Sequence, residues 1–170
     1  MALPRVLKNF NLFNDAASYM GIAEDVKLPK LGRKMQDFRG GGMNGSVDID
    51  LGQEKLELDF TCAGIVAGIF SQYANTKVDG VMVRFAGAYQ EDATGSVQAV
   101  EIVVRGRHKE IESGDVKAGD KGKTSVKMSL SYYKLSIDGV EKIEIDLLNM
   151  IERVDGYDVL ADQRKAIGLA

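Results

Sequence analysis

The strongest constraint on the fold lies in residues 123–149, KTSVKMSLSYYKLSIDGVEKIEIDLLN. Val126, Met128, Leu130 and Tyr132 share one parity, with Lys127, Ser129 and Ser131 between them. A period of two is the signature of a strand with one buried and one wet face. Asp138-Gly139 follows, a dipeptide that tolerates the positive φ of a tight hairpin turn. Beyond it Glu141, Ile143, Ile145 and Leu147 alternate with Lys142, Glu144 and Asp146, and all of the first set except Glu141 are apolar. The pattern predicts an antiparallel hairpin on which the rest of the sheet is built. The apolar parity slips near Tyr132-Tyr133: even-numbered residues are apolar before it, Leu135 and Ile137 after it. One inserted residue swaps the faces, so a β-bulge or strand bend is one explanation. The other is a strand that leaves one sheet's core and enters a second interface. Both suit a barrel or a curved sandwich.

The chain has 170 residues, of which 45% are hydrophobic, enough for one globular domain with a real core. With 19 glycines and only 2 prolines, many of the glycines near segment ends, it reads as a many-turned β protein. The formal net charge of -3, with acids and bases interspersed, argues against tight binding to a nucleic-acid backbone. A single cysteine, Cys62, excludes an intrachain disulfide and a cysteine metal cluster. No apolar run is long enough for a membrane-crossing helix, and MALPRVLKNFNLF lacks the continuous apolar stretch and cleavage site of a signal peptide. The expectation is a chain that is cytosolic when made, without a membrane anchor.

Residues 3–19 are moderately apolar, with Asn14-Asp15 as a turn; Phe10, Leu12 and Tyr19 fit an edge strand, a short hairpin or an arm reaching a neighbouring subunit. Val26-Lys27-Leu28 reads as a strand ending before Pro29. Residues 31–38 are more polar and fit either an exposed strand or part of a long loop, closed by Gly40-Gly41-Gly42, a tight mobile turn rather than a phosphate cradle. Two strands with one wet face follow, carrying Val47, Ile49 and Leu51, then Leu56, Leu58 and Phe60. Ile65, Ile69 and Val66 or Tyr73 stand at helical spacing, predicting a helix over about 63–73 with Thr61 as N-cap. Strands are predicted again around Val81, Val83 and Phe85 and over 97–107. There Val97, Ala99 and Val103 make the second face apolar, so that strand should be covered on both sides. A polar, glycine-punctuated segment, 108–123, leads to the main hairpin, and Val159, Leu160 and Ile167 anchor a short amphipathic helix over 158–167. The fold class is therefore mainly β with helical decoration: an antiparallel β-barrel or sandwich with one packed α-helix and a short C-terminal helix.

Catalytic chemistry finds little footing. His108 is the single histidine, and with Glu110 and Glu112 at strand spacing it reads as a surface ion-pair network rather than a metal site. Cys62 lacks a partner base and reads as a buried structural thiol. No Gly-x-Ser-x-Gly elbow occurs. Asp48 with Asp50, and Glu57 with Asp59, are the alternating acids of wet strand faces, not a glycosidase pair. The expectation is no enzyme activity and no cofactor. Two classes remain: a subunit of a structural assembly, whose strand faces and termini are buried by copies of itself, or a monomeric β-barrel ligand-binding module with one deep pocket.

Four segments carry a resemblance: SYYKLSIDGVEKIEID at 131–146, ESGDVKAGDKGKTSVKMSL at 112–130, LPKLGRKMQDFRGGGM at 28–43 and NFNLFNDAASYMG at 9–21. Together they resemble the major tail tube proteins of P2-like contractile-tailed phages and of R-type bacteriocins (tailocins). The resemblance implies hexameric rings that stack into a hollow rigid tube, a continuous β-barrel around a lumen, driven through the target envelope when a surrounding sheath contracts. It implies as partners other copies of the chain, the sheath protein, a baseplate or tube initiator, a tape measure protein in the lumen, a terminator, and double-stranded DNA in passage. It further implies assembly in the bacterial cytoplasm and a place in the virion tail or a released bacteriocin particle. One tail-tube domain, 1–170, is expected, with an N-terminal arm over 1–20 and an inter-ring loop over about 31–46. The subunit-interface residues it implies are Phe10 and Leu12 in the arm, Arg33, Lys34, Phe38, Arg39, Gly40, Gly41 and Met43 in the loop, and Tyr132, Tyr133 and Leu135 in the hairpin. Glu57, Asp59 and Glu101 are lumen candidates, because an acidic or neutral lining would not retain DNA.

Overall fold

The computed structural model describes residues 1–169. The alternating stretches become strands β1 (Arg5–Asn14), β2 (Ala17–Ser18), β3 (Ala23–Lys27), β4 (Arg33–Phe38), β5 (Val47–Gln53) and β6 (Leu56–Ala63). After helix α1 (Ala67–Phe70) come β7 (Val81–Glu91), β8 (Val97–Glu112), β9 (Lys123–Ile137), β10 (Val140–Asp146), β11 (Ile151–Val154), β12 (Tyr157–Asp158) and helix α2 (Ala161–Ala166). The mainly β, antiparallel class expected from the sequence holds. Ten strands form one sheet in the order β12-β11-β10-β9-β8-β7-β1-β2, with β6 and then β3 branching off β9. The remaining two, β4 and β5, form a separate ribbon.

The parity slip in β9 is where the sheet forks. Tyr132 stands opposite Arg105 and Leu130 opposite Gly106, so Ser131 is the extra residue of a bulge. Before the bulge the free edge of β9 pairs with β6, from Lys123 opposite Ala63 to Leu130 opposite Leu56. After it the same edge pairs with β10, Tyr132 standing opposite Asp146. The bulge explanation is thus correct: it flips the faces, and the strand exchanges β6 for β10 there without leaving its sheet or the core that takes in Val126, Met128 and Tyr133 alike, so the second-interface explanation does not hold. Gly106 makes the crossing possible. A Cβ there would collide with the Ser129 carbonyl oxygen and lie 2.9 Å from the Leu130 Cα. Asp138 and Gly139 both take positive φ, 51° and 78°, closing the β9–β10 hairpin as the dipeptide requires.

The concave side of the sheet is filled by its own side chains. Leu12 from β1, Val83 and Phe85 from β7, Ile102 and Val104 from β8, Val126, Met128 and Tyr133 from β9, and Leu56, Leu58 and Phe60 from β6 are all buried there. The chain between β2 and β3 helps close the curl: Tyr19 donates its N–H to Leu12 O, and Ala63 donates to Ile22 O.

Both helices are shorter than expected. Strand β6 continues through Cys62 to Ala63, so Thr61 lies in a strand and bonds Ser125 rather than capping a helix. Gly64, at φ +73°, then turns the chain before α1 can start. Only Ile69 of α1 reaches the core; Ile65 and Tyr73 point into solvent. Helix α2 buries none of its residues, and Val159 and Ile167 are exposed rather than anchoring. Beyond the 107 boundary expected from the sequence, β8 runs on to Glu112.

Candidate functional site: an unpartnered hairpin and the convex sheet face

The most unusual surface is the β4–β5 ribbon. Its register sets Phe38 opposite Val47, Gln36 opposite Ile49, Asp37 opposite Asp48 and Met35 opposite Asp50. Cross-strand partners share a face, so one face carries Phe38, Val47, Ile49 and, two residues on, Leu51. The other carries Asp37, Asp48, Asp50 and Met35. Period two is present as the sequence implies, but the apolar face covers nothing: Phe38 is 50% exposed, Val47 52%, Ile49 44% and Leu51 52%. A lone two-stranded ribbon is marginal in water, and a continuous apolar stripe on it marks an interaction surface.

Arg33 fastens the base of the ribbon to the rest of the subunit. Its Nε donates to Asp50 Oδ2 at 2.8 Å, and its Nη1 pairs with Glu152 on β11. The hydrogen bond from Arg33, followed by that from the Gly52 N–H, lowers the Asp50 pKa. Arg33 therefore braces the ribbon against the rest of its own subunit. Lys34 shares the face of Phe38 and is exposed. Arg39, Gly40, Gly41 and Met43 form the tip, where Arg39 Nε donates to Met43 O at 3.2 Å and Gly40 takes the Met43 sulfur against its N–H.

Two residues expected at a subunit interface lie elsewhere. Leu12 is 0% and Tyr133 3% exposed, both inside the subunit's own core, where they have no surface to offer. The bulge at Ser131 turns Tyr133 inward and leaves its neighbour Tyr132 on the convex face. There Tyr132 donates its hydroxyl to Glu144 at 2.9 Å and stacks beneath Arg105, while Arg153 pairs with the other Glu144 oxygen at 2.6 Å. Burial, with the Glu144 hydrogen bond second, pushes the Tyr132 pKa up to about 12. Phe10 and Leu135 are partly buried at the margin of the core, Phe10 stacking on Phe85 at 5.7 Å.

Beside Phe10 lies a hollow of about 560 Å³ walled by Met20, Ala86, Gly87, Ala88, Val97 and Ala99. The cover that the sequence demands for Val97 and Ala99 is not supplied within the subunit. A larger hollow, about 660 Å³, separates the ribbon base at Leu51 from Ile151, Val154 and Leu160.

The three lumen candidates share the convex face. Glu57 and Asp59 alternate with buried Leu56, Leu58 and Phe60 on β6, and Glu101 alternates with Ile102 on β8. None stands alone: Glu57 meets Lys109 at 3.2 Å and Lys55 at 3.7 Å, and Glu101 meets Arg84 at 3.4 Å. Asp59 faces Lys27 and Lys127 across its two ladders. The Lys109 hydrogen bond, and then its charge, lower the Glu57 pKa. The face is a mixed, nearly balanced lattice rather than an acidic one.

His108 belongs to none of this. The surface ion-pair network expected around it is absent, because the ladder slips at Lys109 and separates His108 from Glu110. His108 faces inward and is 6% exposed. Cys62 is fully buried, and burial pushes its pKa up to about 11.

The sequence profile of the family described as "Phage tail tube protein FII" matches residues 4–168. The chain belongs to the phage tail tube protein family. It is 46% identical to the tail tube protein of Escherichia phage P2 over 172 aligned positions, covering 99% of this chain and 100% of that protein. It is 37% identical to the major tail tube protein of Serratia phage KSP20, covering 99% of each. A chain of the sheath–tube complex of the extracellular contractile injection system PVC shares the fold, with a TM-score of 0.57, 10% identity and coverage of 75% of this chain and 87% of that one. A chain of the anti-feeding prophage tube-terminating cap does so at a TM-score of 0.59 and 9% identity, over 80% and 93% of the two chains. This chain is thus a tube subunit, a structural component of a phage-type tail. The ligand-binding module is not favoured, since the concave side of the sheet is filled by Phe60, Leu12, Met128 and their neighbours.

Proposed function

We propose that copies of the chain close into hexameric rings that stack as the inner tube of a contractile injection apparatus. The observation that carries this is the apolar face of the β4–β5 ribbon, which a neighbouring copy covers. Contacts of the hollow beside Phe10 and of the partly exposed Leu135 and Tyr132 add to the side-by-side association. Lys34, Phe38, Arg39, Gly40, Gly41 and Met43, in the loop over 31–46, reach the adjacent ring, with the N-terminal segment 1–20 completing one tail-tube domain, 1–170. A head-to-tail contact of unlike surfaces is what a ring and a filament both need.

The part of the convex face that carries Glu57, Asp59 and Glu101, matched by Lys55, Lys109, Lys27, Lys127 and Arg84, lines the lumen. Balanced charge gives phosphates no basic track to adhere to, so double-stranded DNA and a tape measure protein pass or sit without being held. The tube assembles in the bacterial cytoplasm on a baseplate initiator, inside a sheath, and is closed by a terminator. The PVC and anti-feeding prophage structures that share the fold are a sheath–tube complex, a sheath/tube terminator, a cap and a baseplate. The conduit performs no catalysis; its working property is stiffness.

Sedimentation and negative-stain microscopy of the purified full chain test the proposal. Rings or hollow rods are expected on concentration or with the baseplate initiator. A monomer that forms neither, even with initiator and sheath present, refutes it.

A further inference from the structure

We infer that His108 and Gln72 form an acid-sensitive clasp that fastens the segment over 64–80 to β1 and β8. The segment is weakly held otherwise. Ile69 is its one fully buried apolar side chain, while Ile65, Phe70, Tyr73 and Val78 are exposed. Its first residue is tied by the Gly64 N–H to Gly122 O and by the Thr124 hydroxyl to Gly64 O. Further along, the Gln72 side chain makes the main polar attachment, beside a long hydrogen bond of 3.5 Å from Arg107 Nη1 to Asn75 O.

Gln72 Oε1 accepts from Asn14 Nδ2 at 2.7 Å, and Gln72 Nε2 donates to Asn14 Oδ1 at 2.8 Å and to Asp15 Oδ2 at 3.0 Å. Asn14 Nδ2 also reaches the Tyr19 hydroxyl at 2.9 Å. His108 Nε2 lies 2.8 Å from the same Gln72 Oε1. A carbonyl oxygen only accepts, so Nε2 carries the imidazole proton and Nδ1 the lone pair. That Nδ1 is buried without a partner. A second proton must go to Nδ1, where it would create a buried charged N–H with no acceptor.

The ionisable groups on the surrounding elements include Asp15 and Tyr19 on the β1–β2 side, Cys62 on β6, Tyr73, Lys77 and Asp79 on the segment itself, Arg107 and Lys109 beside His108 on β8, and Lys127 on β9. Met128 opposite on β9 is neutral. Among these the Asp15 charge favours the imidazolium, and desolvation outweighs it, holding the pKa at about 4 against an ordinary 6.5. Protonation is therefore linked to release: the imidazole takes its second proton when Nδ1 meets water. With the folded value depressed, the clasp is at full strength above about pH 6.5 and weakens as pH falls toward about 4.

Amide hydrogen exchange on the full chain, corrected for intrinsic rates, reads this directly. The N–H groups of Ser71, Gln72 and Tyr73 bond within the segment and report its opening. Between about pH 7.5 and about pH 5 their protection should fall roughly 30-fold. His108→Gln, which cannot titrate, should abolish the dependence. Should that variant fail to fold, the His108 ring-proton resonances of the unmodified chain follow its titration directly, and their midpoint should lie well below the ordinary imidazole value of about 6.5. Equal protection at both pH values, a dependence that His108→Gln retains, or a His108 ring resonance that titrates near about 6.5 in the folded chain each overturns the clasp.

Discussion

Replacing Phe38, Ile49 and Leu51 together by serine separates folding from assembly. All three lie on the ribbon's uncovered face, and each is about half exposed. Removing them takes little from the isolated subunit, because none of the three belongs to its core or packs against it. In the tube, a neighbour that covers the remaining half gains about 1 kcal/mol per side chain, or about 3 kcal/mol for the three, at about 25 cal/mol per Å² of apolar surface. A loss of that size weakens each subunit contact on the order of 100-fold. Every ring contact carries the same loss, so the polymer should fail well before the monomer does. The assay pairs urea unfolding of the dilute subunit with electron microscopy of assembly mixtures. The unfolding midpoint should stay where it is while tubes vanish or shorten severely. Normal tubes from the triple variant would refute the assignment of this face, and a collapse of subunit stability would show that the ribbon folds against its own chain.

Four other outcomes follow from the same structure. Phe60→Ala, at a fully buried site, should lower subunit stability by about 3–5 kcal/mol in chemical denaturation. Gly106→Ala drives a methyl into the Ser129 carbonyl at the fork of the sheet, so the variant should be insoluble or lose most of its stability, read by expression and thermal melting. Gly139→Ala keeps the hairpin but places a side chain at φ +78°, and should reduce stability by about 1 kcal/mol in the same measurement. Cys62, buried and with its pKa raised to about 11, should resist alkylation at mildly alkaline pH until denaturant is added; rapid labelling of the folded chain would contradict its placement.

Residues 123–149 show how far the primary structure carries. Their alternation and the Asp138-Gly139 pair identify strand, turn and bulge, since each depends on local geometry alone. The exchange of β6 for β10 along one edge of β9 is a matter of long-range pairing, and the sequence leaves it open between two explanations. The same division governs the ribbon: Val47, Ile49 and Leu51 alternate just as Leu56, Leu58 and Phe60 do, yet the first set is exposed and the second buried. Periodicity says that an apolar face exists, not what covers it. Tyr132 and Tyr133 illustrate the cost of that gap, because a single inserted serine decides which of the pair enters the core. Gly64 broke the expected helix, a signal visible in the sequence but outweighed there by the spacing of Ile65 and Ile69. His108 was misplaced because its clasp partner, Gln72, is distant in sequence and carries no pattern of its own.

The most direct test of the central claim is a cryo-electron microscopy reconstruction of the assembled tube at side-chain resolution. Phe38, Val47, Ile49 and Leu51 should be buried against a second copy, with Glu57, Asp59 and Glu101 facing the bore. A tube whose β4–β5 ribbon leaves that apolar face in open solvent would contradict it.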